Sequence, residues 1–327
     1  MERKKKSIQA FFFGFILLPM VCTASAAFGA DEPYPNRPIQ IVINMAPGGA
    51  TDLMVKIVGE RLGEVLGQPL IRMHKPGGGG SLAASFVARA KPDGYTLLTG
   101  TSTTNILIPL IKKVDYTMHD LYPLGIYAKA VHYFLVKADA KWQTLEEFIE
   151  EARARPRKLK ISSYGKQTFA DFVIEDLAKK AGVKFVHLPT KGCGEAVAAL
   201  LGGHVEADVC TSSMGQATGG TVRLLGVADD ERSDLFPEAK TFKEWGYPVN
   251  FSGFFSFTAP AKTPKPILDK LSNAMQEVFK RYGSQMREEL IKVDYMPYFC
   301  DPTRTMEEFR KNYENAHRMA KELGYIQ

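Results

Sequence analysis

The groups best placed to do chemistry in this chain are backbone amides, set out in five short loops rich in Gly, Ser and Thr. The first follows an apolar run and contains Pro47, Gly48, Gly49, Ala50 and Asp52. The second is Gly100 to Asn105, with Ser102 and Thr103 at its centre. The third is Ser162 to Thr168, which carries Tyr164, Lys166 and Thr168. The fourth, Thr190 to Glu195, holds Lys191, Gly192 and Cys193, and the fifth runs from Thr211 through Ser212 to Ser213. Three of these loops lead into helical patterns. Glycine lets backbone come close to a ligand, and a helix N-terminus offers unpaired N–H groups and about half a positive charge. Donors dominate the loops and acidic groups are few, so the chemistry they suit is the holding of an anion such as a carboxylate.

Catalytic constellations are absent from the sequence. There is no G-x-S-x-G elbow and no G-x-x-x-x-G-K-[ST] loop for a triphosphate, and the PGGGGS stretch at 76–81 lacks the spacing of a dinucleotide loop. The six histidines, His74, His119, His132, His187, His204 and His317, have no metal-ligand spacing. A nucleophilic Cys193 would need a basic partner, and only Lys191 stands near it in sequence. No general acid–base pair is recognisable. The expectation is a binding protein with no catalytic residues, no metal and no cofactor.

These loops need elements to position them, and the pattern supplies strand and helix in alternation. IQIVINM (39–45), PLIRMHKP (69–76) and GYTLLTGT (94–101) read as strands, with helices over 51–67 and 81–90 between them. Thr51 or Asp52 is the expected cap of the first helix and Gly67 its stop. The pattern restarts with strands at 131–139, 158–165, 183–189, 207–212 and 222–228, and helices at 144–154, 168–182 and 194–203. A strand at 254–260 and two helices, about 264–282 and 305–323, complete the chain and are expected to return to the first unit. The expected fold class is α/β, two lobes joined by crossing strands near 127–131 and 248–254, each a mainly parallel sheet flanked by helices. Ligands of open α/β sheets bind at the carboxyl ends of the strands, which is where the five loops fall.

The 327 residues carry 42 Lys and Arg against 36 Asp and Glu, a net charge of +6. The first 27 residues combine a basic start (Arg3 to Lys6), an apolar run from Ala10 to Val21 and small residues ending at Ala26-Ala27. That order predicts a secretory signal peptide. The apolar run is shorter than the roughly 20 residues of a membrane span. Val21 before Cys22 argues against lipid attachment. With its four Lys and Arg and one Glu removed, the charge falls to about +3, no footprint for nucleic acid. Cys193, Cys210 and Cys300 remain, an odd number with no C-x-x-C pair; they read as buried small hydrophobes, one disulfide among them being open.

Four stretches together resemble one family. YPNRPIQIVINMAPGGATD (34–52), LGQPLIRMHKPGGGGSLAASFVARAKPDGYTLLTGTSTT (66–104), VHLPTKGCGEAVAALLGGHVEAD (186–208) and FTAPAKTPKPILDKL (257–271) are similar to segments of the Bug-type (TctC-like) solute-binding proteins of tripartite tricarboxylate transporters. The resemblance spans roughly 34–315. It implies a two-lobed Venus-flytrap fold: signal peptide 1–27, lobe 1 from 28–129 and 251–327, lobe 2 from 130–250. It further implies a monomeric periplasmic receptor that captures a small carboxylate in the interlobe cleft and delivers it to the large and small membrane permease subunits. The alternative is a sensor presenting the same ligand to a membrane histidine kinase. By resemblance, backbone around Gly48, Gly49 and Ala50 holds one carboxylate. Lys191, Gly192 and Cys193 meet the ligand from the other lobe, and Ser102, Thr103 and the Tyr164–Thr168 loop complete the site. Asp52 can face the ligand, or serve as a helix cap. The sequence departs from the family at Tyr164 and Lys166, where small residues are usual, at Ile108-Pro109, and at Thr190, where Tyr is usual. Tyr164 admits an aromatic carboxylate stacked on its ring, beside the di- and tricarboxylates the family implies.

Overall fold

The structure is a computed structural model. It describes residues 33–327 apart from 49, 213–215, 218 and 294, and for Ala50 the backbone only. The signal-peptide expectation and Gly49 lie outside the described residues.

Two mixed sheets carry the chain. The first holds β1 (Ile39–Ile43), β2 (Leu70–His74), β3 (Thr96–Thr101), β4 (Leu121–Ala130), β10 (Gly253–Pro260) and β11 (Met296–Pro297), in the order β11-β4-β10-β3-β1-β2. The second holds β5 (His132–Lys137), β6 (Lys160–Ser163), β7 (Val186–Pro189), β8 (Ala207–Cys210) and β9 (Val222–Ala228), in the order β7-β6-β8-β5-β9. β1 pairs in parallel with β2 and β3, and β6 with β7 and β8. The remaining pairs, β10 with β3 and β4, β11 with β4, and β5 with β8 and β9, are antiparallel.

The helices are α1 (Ala50–Met54), α2 (Glu60–Leu66), α3 (Ser81–Ala88), α4 (Ile108–Ile111), α5 (Leu145–Ala154), α6 (Phe169–Ala181), α7 (Cys193–Leu201), α8 (Lys265–Ile291) and α9 (Pro302–Glu322). Their starts follow local chemistry. Thr144, Thr168 and Asp301 accept the N–H of the residue three further on and so cap α5, α6 and α9. Wider π-helical turns occupy Val55–Gly59, between α1 and α2, and Thr103–Leu107, ahead of α4. The second is wholly buried; Thr104 Oγ1 donates to the Gly79 carbonyl and Asn105 Nδ2 to Ser256 Oγ, while Asn105 Oδ1 is left without a partner.

Only Val131 separates β4 of the first sheet from β5 of the second, and residues 229–252 return the chain from β9 to β10. Lys129 and Asp229 form an ion pair of 2.5 Å beside these crossings. The tail does not end on the first sheet alone. Tyr325 stacks on Phe172 of α6 at 4.8 Å and donates to Glu175, and Lys179 donates to the carbonyl of Glu322. The chain's last turn therefore fastens to the second lobe. One apolar cluster includes Ile126 of β4, Phe134 of β5, Phe172 of α6 and Phe309 of α9, so the core is continuous across the crossing side.

Candidate functional site

A cavity of about 400 Å³ opens where the strand ends of the two sheets face one another. That volume falls within the range of small-molecule sites. The first lobe contributes Met45 to Gly48 after β1, Thr51 of α1, and Thr101 to Thr103 after β3. The second contributes Tyr164 after β6, Phe169 at the start of α6, Gly192 to Glu195 at the start of α7, and Thr211 after β8. The crossing segments supply Ala130, His132, Gly253 and Phe255, and Tyr295 closes one side.

Most polar side chains on this wall are already engaged. Ser102 Oγ accepts the N–H of Phe254 at 2.7 Å. His132 lies within 2.6 Å of the Phe251 carbonyl through Nδ1 and 2.9 Å of the Tyr164 hydroxyl through Nε2. A carbonyl can only accept, so Nδ1 carries the proton and Nε2 accepts from Tyr164. Burial holds the His132 pKa down at about 4, opposed by the Phe251 carbonyl, so the ring is neutral near pH 7. Thr103 Oγ1 accepts the N–H of Phe169 at 3.3 Å, which turns its own proton toward the Tyr164 oxygen 3.4 Å away. The relay thus runs from Thr103 through Tyr164 and His132 to Phe251. Burial raises the Tyr164 hydroxyl well above its ordinary value, so it stays protonated.

The open donors lie at helix starts. α7 begins after Gly192, which offers no capping side chain. The first bond of the helix runs from Ala196 to the Gly192 carbonyl, leaving the N–H groups of Cys193, Gly194 and Glu195 without helical partners. Across the cavity, Thr51 is 4 % exposed and its hydroxyl makes no hydrogen bond with a described residue. A nine-residue helix aimed at a cavity from one lobe and a spare buried hydroxyl from the other suit an anion between them.

The family model of the tripartite tricarboxylate transporter family receptor, TctC, matches residues 54–325. This chain belongs to the TctC family. That is a family of receptors rather than of enzymes. The chain is 34% identical over 305 residues to the UPF0065 protein in the gbd 5′ region of Cupriavidus necator, covering 88% of this chain and 90% of that one. A solved structure described as that of a periplasmic transporter is 29% identical, with a TM-score of 0.81 over 88% of this chain and 97% of its own. R. palustris Rpa4515, solved with adipate, has the same TM-score of 0.81 at 24% identity, covering 89% and 98%. The two-lobed fold is common to them.

In this TctC-family receptor, Pro47, Gly48, Ser102, Thr103, Tyr164, Gly192 and Cys193 line the cavity. Ala50 begins α1 beside it. Five other expected residues stand elsewhere. Asp52 is the third residue of α1, and its carboxylate turns back to accept the Gly48 N–H at 3.0 Å, with His74 at 2.9 Å and Arg72 at 3.2 Å on its other oxygen. Burial pulls against ionisation there, but Gly48, His74 and Arg72 together hold the carboxyl below its ordinary value. Asp52 therefore neither caps the helix nor faces the ligand; it fastens the loop and occupies the Gly48 donor. Lys166 pairs with Asp171 and Glu175 on the flank of α6. Thr168 is spent capping α6. Lys191 is exposed, with its N–H on the Glu195 carboxylate. Ser212 donates to the Val293 carbonyl at 2.6 Å.

Cys193, Cys210 and Cys300 are free and buried, and Cys193 has Thr211 at 3.9 Å rather than a base beside it. His132, Thr51, Phe255 and Tyr295 line the cavity although no motif in the sequence singles them out as ligand-binding; Thr51 reads there only as a cap. His132 and Phe255 sit where strands cross between sheets, and crossing strands are the least conspicuous signal in a pattern of alternating elements. Among the described residues no helix is long and apolar enough to cross a membrane.

Proposed function

We propose that this TctC-family receptor captures a small carboxylate in the cleft and delivers it to the large and small permease subunits of a tripartite tricarboxylate transporter. The carrying observation is the set of open N–H groups at Cys193, Gly194 and Glu195, facing a cavity of about 400 Å³. A carboxylate seated there satisfies three N–H donors, that of Cys193 buried, for which no described residue supplies an acceptor. The adipate on the R. palustris neighbour supports carboxylates as the class to test first. Affinity comes from contacts with both lobes that only the closed form makes. The backbone after Gly48 takes part through the start of α1, with the Gly48 N–H itself held by Asp52. Export by the segment 1–27, work in the periplasm as a monomer, and a division into lobes at 129/130 and 250/251 belong to the same reading.

The experiment is thermal unfolding of the signal-free protein, stripped by unfolding and refolding, against mono-, di- and tricarboxylates. A ligand at 100 times its Kd adds about 2.7 kcal/mol, on the order of several degrees. A rise with at least one carboxylate and none with the matching neutral amide is expected. No rise with any carboxylate refutes the proposal.

A further inference from the structure

The cavity's composition narrows the ligand. Among the described lining residues there is no Lys or Arg, and the single charged side chain is Glu195. The wall between the two helix starts is apolar, built from Met45, Pro47, Phe169, Phe255 and the rings of Tyr164 and Tyr295. The Ser102, Thr103 and Tyr164 hydroxyls on that wall face inward. Ser102 is committed to Phe254, and the Thr103–Tyr164–His132 relay points each proton at the next member. Tyr164 can therefore accept from a ligand but has no proton to give. The start of α7 has the Thr51 hydroxyl opposite it, and the other open donors on the lining, the Ser102 and Thr103 N–H groups and the Tyr295 hydroxyl, are all neutral.

We infer that the ligand carries one carboxylate on an apolar or aromatic body. The carboxylate sits at the N–H groups of Cys193, Gly194 and Glu195 with the Thr51 hydroxyl, and the body fills the apolar wall. A second carboxylate would bring a second charge into a cavity whose described lining holds no cation, which is costly, or would lie beside the Glu195 carboxylate, which repels it. This inference rests on the proposed carboxylate receptor and goes further by excluding the dicarboxylates that such a reading leaves open. The shared feature with adipate is the methylene spine; the difference is the far end.

The test is calorimetric titration of the stripped, signal-free protein with benzoate, phenylacetate and cyclohexanecarboxylate, against benzamide, malate and adipate. At least one apolar monocarboxylate should bind ten times or more tightly than either dicarboxylate, and benzamide should not bind. Glu195→Gln keeps an acceptor for the Lys191 N–H and removes the negative charge, so it should tighten adipate several-fold more than it tightens the monocarboxylate. Malate or adipate binding more tightly than every monocarboxylate overturns this inference and leaves the receptor reading standing. Binding of no carboxylate overturns both. A Glu195→Gln protein with an unchanged preference overturns the role given to that charge.

Discussion

Replacing Asp208 by asparagine should stabilise the protein, and by an amount that depends on pH. Asp208 is fully buried on β8. Ser162 Oγ donates to its Oδ1 at 2.9 Å, while Oδ2 is buried without a hydrogen bond of normal geometry. Burial, only partly offset by Ser162, raises its pKa from 3.8 to about 7. The folded protein therefore holds a proton that the unfolded chain gives up between about pH 4 and pH 7. Its stability from this group is greatest below pH 4 and falls as the pH rises to 7. Each pH unit between the two values is worth about 1.4 kcal/mol, so keeping Asp208 buried at pH 8 opposes folding by about 4 kcal/mol. The amide introduced by Asp208→Asn has the shape of the protonated acid and no charge to gain. Urea unfolding followed by circular dichroism at pH 4 and pH 8 reads the difference directly. Asp208→Asn should match the parent near pH 4 and exceed it by about 4 kcal/mol at pH 8. No gain at pH 8, or an equal gain at both, would show that the carboxyl is not held neutral by its surroundings.

His132 works in the opposite direction. Its pKa is held down at about 4 from 6.5, mainly by burial. The unfolded chain takes up a proton that the folded one refuses, so about 3 kcal/mol is lost as pH falls from 6.5 to 4; urea titrations across that window should show this slope most clearly in the Asp208→Asn background and not after His132→Phe. Tyr164→Ala should lower ligand affinity at least tenfold by calorimetry, whereas Tyr164→Phe keeps the ring and mainly costs stability, about 1–3 kcal/mol, by leaving His132 Nε2 without its donor. A methyl at Gly226 would stand 2.2 Å from the Phe242 ring in the second lobe, so Gly226→Ala should destabilise by about 1–3 kcal/mol or prevent folding, read as the melting temperature and soluble yield.

Much of this fold is legible in the sequence because its signals are local. β9 spans the expected 222–228, and α5, α6 and α7 begin within a residue of expectation because Thr144, Thr168 and Gly192-Cys193 mark their starts. Only the end of β4 is foreseen, as the crossing near 127–131: LYPLGIYAKA has Pro and Gly inside it and no alternation, since a strand shared between a core face and a cleft is buried nearly throughout. The helical turn at 103–111 is hidden for a similar reason, its polar Thr and Asn residues being bonded inward. The last residues cross to α6 through Tyr325, a contact that no pattern along the chain announces. At the site, glycine and hydroxyl loops pointed to the strand ends that line the cavity. Which loop side chains face inward is a matter of pairing in space: Asp52 finds Arg72 and His74 on β2, and Lys166 finds Asp171, so both turn from the cavity. The apolar wall comes from Phe255 and Tyr295, far along the chain, which only the assembled sheet brings to the cleft.

In the proposed receptor the first amides of α7 hold a carboxylate. Labelling the protein with ¹⁵N-cysteine and ¹⁵N-glycine and titrating it with a bound carboxylate reads those amides one by one. The Cys193 and Gly194 N–H protons should move downfield as they acquire a charged acceptor, while Gly48, already bonded to Asp52, should move little. Saturation of the protein with Cys193 and Gly194 unmoved would contradict it.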